Sequence, residues 1–109
     1  YMAEKSIIRP TFSYMGNFTI SDNVFKQIIE HLANKESSIH KVVRTRVNKG
    51  DEGVEIYMEV IVNYGKKIVD ILQSFQIRSK KEIERLTAMN VSKIDVMAKG
   101  INIPKDMKI

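Results

Sequence analysis

The side chains able to do chemistry are few and poorly placed for it. There is no cysteine among the 109 residues, which excludes a disulfide scaffold, a thiolate zinc site and a cysteine nucleophile. His31 and His40 are the two histidines, and neither has a second histidine or a carboxylate at metal-ligand spacing on its own element. Glu30, beside His31, points about 100° away around a helix. No serine sits between glycines as in a nucleophile elbow, and no glycine-rich phosphate loop is present. Glu55 and Glu59 fall on one strand face, where an acid and a base could stand. An open face beside Arg44 and Arg46 offers no pocket to raise a carboxylate pKa. The expectation is therefore a protein with no catalytic, cofactor or metal residues that is not an enzyme.

Charge offers a different chemistry, that of binding. Eighteen Lys and Arg against thirteen Asp and Glu give +5. Residues 1–50 hold eight basic and four acidic residues, hence +4, and residues 51–109 hold ten and nine, hence +1. Lys41, Arg44, Arg46 and Lys49 stand together with no acidic neighbour, a patch able to attract phosphates, anionic lipid heads or an acidic partner. Glu55, Tyr57 and Glu59 follow on the next segment and supply opposite charge and one aromatic.

The elements that position these residues are legible from periodicity. Residues 3–12 show no period. Tyr14 to Ile20 reads as a short first strand, with Gly16 inside it. Ser21 or Asp22 caps a helix whose Val24, Phe25, Ile28, Ile29 and Leu32 recur at three- and four-residue steps. Residues 39–47 alternate, with Val43, Thr45 and Val47 expected inward and Val42, Arg44 and Arg46 outward. The cluster 48–53 is a turn whose two glycines are free to take positive φ. Val54, Ile56, Met58, Val60 and Val62 then share one face of a strand. The two alternating runs form an antiparallel hairpin that sets Arg44 and Arg46 near Glu55 and Glu59, where opposite charges contribute about 0.2–1 kcal/mol per pair.

Asn63, Tyr64 and Gly65 break that strand, and a helix runs from about Lys66 to Leu86, with Ile68, Ile71, Leu72, Phe75, Ile83 and Leu86 as its stripe. A last strand, 91–99, turns Ile94, Val96 and Ala98 inward and Lys93, Asp95, Met97 and Lys99 outward. The sum is an α+β fold, a two-layer sandwich of order β-α-β-β-α-β, its two helices packed on one face of a small sheet. Residues 1–12, with Tyr1 read as a cloning remnant, form a loose lead-in; residues 13–103 form a single domain; residues 104–109 form a basic tail. No apolar run approaches the ~20 residues of a membrane span and no leader pattern opens the chain, so a soluble cytoplasmic domain is expected.

RNA binding is the main rival reading of the charge. Stacking surfaces of the RRM type need several aromatics, and here Tyr57 stands between two acids. The letters of a G-x-x-G clamp occur at Gly50–Gly53, but between two strands and with two acids inside. The alternative is an RNA-binding α/β domain using the basic patch at 41–49; a third reading is docking on anionic membrane through that patch and the tail.

Three blocks carry a family resemblance. Gly16 to Val24 is similar to an opening glycine-x-hydrophobic-x-isoleucine-serine helix start. Val54 to Asn63 followed by Tyr64-Gly65 resembles an alternating strand closed by Tyr-Gly. Ile83 to Thr87 and Val91 to Ile101 resemble a helix end and a final strand running into Gly-Ile, with Ala88 where a glycine usually follows the Thr. Together they resemble the alkaline shock protein family, the Gls-type envelope stress response proteins of Gram-positive bacteria, over about residues 16–103. The resemblance implies a small non-enzymatic cytoplasmic protein of cell-envelope homeostasis. It would act as a stress-response scaffold beneath the membrane through a protein partner, and assemble as a homo-oligomer. The interaction residues expected are Lys41, Arg44, Arg46, Lys49, Glu55, Tyr57 and Glu59, on the charged strand face and its edge strands.

Overall fold

In the computed structural model, which describes residues 18–107, Ser21 starts the first helix, α1 (Asp22–Asn34). Its extended backbone lets the Ser21 hydroxyl accept from the amide of Asn23 at 3.2 Å, and Asp22 sits in the first turn where the helix dipole favours an anion. Phe25, Ile29, Leu32 and Ala33, on steps of four and three or four, are buried. Of the expected first strand, residues 14–17 lie outside the described residues, and Phe18 to Ile20 form no strand. The described order is α-β-β-α-β, still an α+β sandwich with both helices on one face.

β1 (Ile39–Gly50) and β2 (Gly53–Asn63) form the antiparallel hairpin, with Gly50 opposite Gly53 and Asp51-Glu52 as its loop. Only Gly53 of the two turn glycines adopts positive φ, at 143°. A Cβ there would stand 2.5 Å from the carbonyl oxygen of Asn90, which the amide of Val54 needs as its acceptor at 2.8 Å. Val54, Ile56, Met58, Val60 and Val62 are all at most 2% exposed, as the alternation requires.

β1 departs from simple alternation. The register shifts between Ile39 and Lys41 and again between Val42 and Arg44, so His40 and Val43 are unpaired bulge residues. Each bulge resets the period of two. Val42, opposite Val60, is the one that packs against the core, while Val43 is exposed. The expected inward position of Val43 and outward position of Val42 are thus reversed, for want of a bulge signal in the sequence.

α2 (Ile68–Thr87) carries the chain back so that β3 (Val91–Asn102) runs parallel to β2, a connection that needs a crossover of this length. The sheet order is β1-β2-β3, with β2 central. Ile71, Phe75, Ser79, Ile83 and Thr87 form the buried row of α2 at steps of four. Leu86, expected inward, is exposed, because Thr87 closes that row instead. The Thr87 hydroxyl donates to Ile83 O at 2.7 Å and accepts from the amide of Met89 at 3.2 Å. Ala88 ends α2 in the left-handed conformation (φ 58°), donating its amide to Glu84 O at 2.9 Å. Glu84 then accepts from Lys80 and from the amide of Val91, fastening β3 to the helix. The C-terminal tail begins with one turn of 3-10 helix, Lys105–Met107.

A candidate protein-interaction face

Both helices cover the same side of the sheet, and no described element covers the other, the open face. Strand alternation sorts side chains onto that open face: Lys41, Arg44, Arg46 and Asn48 from β1, Glu55, Tyr57, Glu59 and Ile61 from β2, and Lys93, Asp95, Met97 and Lys99 from β3. Arg44 lies opposite Glu59, Arg46 opposite Tyr57, and Asn48 opposite Glu55. Six of the seven residues expected to interact are therefore on one surface.

Lys49 is the exception. It stands opposite the buried Val54, on the helix side, where its ammonium donates to Ile20 O, lies 3.5 Å from Asp22, and sits 5.9 Å above the Phe25 ring. Its work is to hold the start of α1 against the hairpin. The basic patch thus splits by strand parity, with Lys41, Arg44 and Arg46 on one side and Lys49 on the other.

At the centre of the open face Tyr57 and Glu59 are joined in a linked network of contacts. The Tyr57 hydroxyl donates to Glu59 Oε2 at 2.9 Å and lies 3.3 Å from Met97 Sδ. Lys99 reaches the other Glu59 oxygen at 3.4 Å, and the Arg46 guanidinium stacks 5.6 Å from the Tyr57 ring centroid. Glu59 is 8% exposed despite facing solvent, because its neighbours fold over it. The Tyr57 hydrogen bond, helped by Lys99, holds the Glu59 carboxyl below its usual range although burial pushes the other way. The same hydrogen bond, with burial, raises the Tyr57 hydroxyl above its usual value. Glu55 accepts from Asn48 at 3.1 Å, and Lys93 lies 3.7 Å from Asp95.

Lys99 and Met97 were not among the expected interaction residues. The outward parity of both is legible in the last strand, but their meeting with Glu59 and Tyr57 depends on the parallel β2–β3 pairing. A bulge also contributes, since Ala98 pairs with Val60 and Gly100 with Ile61, leaving Lys99 as the extra residue.

The surface is shallow. A depression of about 250 Å³ is lined by Arg46, Glu55, Tyr57, Lys93 and Asp95 among others, with both signs of charge around it. His31 and His40 are both exposed, His40 at a bulge, and no three His, Asp or Glu side chains among the described residues converge as metal ligands. What this arrangement can do chemically is present ordered charge, an aromatic ring and a thioether to another surface.

A family profile for alkaline shock protein 23, described by a cell envelope-related function, matches residues 15–103. The chain belongs to the alkaline shock family. A search of curated proteins returns no match. Among solved structures, the fold resembles the MamM CTD. Its copper form has a TM-score of 0.59 and 15% identity, covering 72% of this chain and 85% of that one. A manganese form gives 0.60 and 14%, covering 73% and 99%. At such identities the likeness is one of fold, and it places this alkaline shock domain among α+β sandwiches of matching size. No described helix of the domain is long and apolar enough to cross a membrane.

Proposed function

We propose that this alkaline shock domain is a non-enzymatic interaction module of the cell envelope, a cytoplasmic scaffold that binds a protein partner and copies of itself through the open sheet face. The observation that carries the reading is the network on that face: a hydrogen-bonded Tyr57–Glu59–Lys99 centre, flanked by Arg44, Arg46 and the half-exposed Met97, on a sheet side that neither helix covers. Ordered charge, an aromatic and a methionine without a cavity suit recognition of a surface. Association with the envelope would then come through the bound partner.

Self-association is expected through the face more than through strand edges, because neither edge suits pairing with its own copy. β1 is bulged twice and lined with cations. At β3, Gln76 donates to Ile94 O at 2.7 Å and Lys80 to Val91 O at 3.1 Å, occupying carbonyls of its first half. Light scattering over a range of concentrations should show mass rising with concentration, and Arg44→Glu/Arg46→Glu should reduce it. A strict monomer at high concentration would remove the homo-oligomer from this reading. RNA binding by the 41–49 patch is the alternative. The departure of Lys49 and the Arg46 cation over the Tyr57 ring both weigh against a base-stacking platform.

A further inference from the structure

The acids and the cations of the open face are unequally satisfied. Glu59 is occupied by Tyr57 and Lys99, Glu55 by Asn48, and Asp95 by Lys93. Lys41, Arg44 and Arg46 form no ion pair among the described residues. All three lie on β1, the outer strand, beyond which no described strand pairs. From Arg44 to Gly50 the β1–β2 register is unbroken, so this stretch of outer edge is regular, and the bulges at Val43 and His40 end it on one side. Thr45 and Val47, half-buried, alternate with the arginines and face the helix side.

We infer that the β1 edge from Arg44 to Lys49 receives an acidic, extended segment of a partner protein as an added strand. The inference rests on the reading of this face as an interaction module and names the chemistry of its partner. Main-chain hydrogen bonds along this edge, which no described strand pairs, supply the pairing, and alternate side chains supply the selection. Carboxylates at every second position of the incoming strand stand beside Arg44 and Arg46 on the open face. The intervening β-branched or apolar side chains lie beside Thr45 and Val47. A second copy of β1 is the wrong occupant: two-fold pairing of this edge with itself sets arginine against arginine, and like charges on neighbouring strands repel. The same cations that keep a second β1 from pairing at this edge therefore admit an acidic strand. A nucleic acid is disfavoured because Glu55 and Asp95 flank the route across the face.

The test uses the intact chain and a fluorescent eight-residue peptide alternating Glu with Val and Thr, beside its Lys-for-Glu counterpart. Anisotropy should report binding of the acidic peptide alone, weakened roughly tenfold or more by Arg44→Glu/Arg46→Glu and by salt that shortens the screening length to a few Å. Hydrogen exchange on the unmodified protein should show new protection at alternate amides within residues 44–49. Equal binding of the basic peptide, or acidic-peptide binding without protection of β1, overturns the inference, as does failure of the acidic peptide to bind. If those results come while Arg44→Glu/Arg46→Glu still reduces self-association, the strand inference falls and the interaction-module reading stands.

Discussion

Ser79 should be a stabilising site for substitution. It lies in the buried row of α2, fully excluded from solvent, and its hydroxyl is the one buried side-chain oxygen among the described residues without a hydrogen-bond partner. Leaving a buried donor and acceptor unpaired costs about 1–3 kcal/mol. Ser79→Ala removes that penalty and adds a few tenths of a kcal/mol of helix propensity. Against this stands the void of a single atom, which at about 24 cal/mol per Å³ amounts to well under 1 kcal/mol. The net expectation is stabilisation by about 1–2 kcal/mol, or several degrees of melting temperature at about 4–8 °C per kcal/mol for a domain of this size. Urea denaturation followed by circular dichroism reads it directly. Thr87→Val is the control of opposite sign, because it strips the Met89 amide of its acceptor and should cost about 1–3 kcal/mol. A Ser79→Ala protein no more stable than the parent would refute the reasoning, showing that the hydroxyl is satisfied in solution.

Other expectations follow the same logic. Ala88→Gly should stabilise by up to about 1 kcal/mol, since a left-handed alanine is strained by about 1–2 kcal/mol and glycine returns part of that as backbone entropy; thermal denaturation measures it. Gly53→Ala should destabilise by about 2 kcal/mol or more, since both φ and the Asn90 carbonyl oppose a Cβ; an unshifted denaturation midpoint would contradict the hairpin geometry. Glu59→Gln should lower the titration of Tyr57 toward the ordinary phenol value, because the hydrogen bond to the carboxylate is the largest cause of its rise, and ultraviolet absorbance against pH would show the change. Glu59, Glu82 and Glu84 are all held below the ordinary carboxylate value. For Glu59 the leading cause is the Tyr57 hydrogen bond, and for Glu82 the Arg85 one. For Glu84 burial pushes up but Lys80 and the Val91 amide outweigh it. A depressed carboxyl contributes stability that is complete above its unfolded pKa and lost as pH falls through its folded value. Unfolding free energy should therefore fall from about pH 4.5 downward, and a flat profile there would contradict the three assignments.

The parts of the fold written in local pattern were legible. The α1 stripe through Phe25, Ile29 and Leu32, the alternation of β2, and the glycine turn each depend on neighbours in sequence, so periodicity finds them. Simple alternation interchanges Val42 and Val43, because a bulge inserts a residue without any compositional mark. Proximity along the chain groups Lys49 with Arg44 and Arg46, whereas strand parity sends it to the other side. The meeting of Lys99 with Glu59 joins residues forty positions apart. It required the parallel placement of β3 against β2, which amphipathic patterns leave open. The face was thus readable as a set of residues, but its wiring was set by strand order.

The most direct test of the account is site-specific photo-crosslinking in cells, with the reactive group at Met97 on the open face and, in parallel, at the exposed Gln73 on α2. The account predicts protein adducts from position 97, including copies of the chain itself, and few from position 73. Adducts concentrated at position 73, or at 97 with RNA in place of protein, would contradict it.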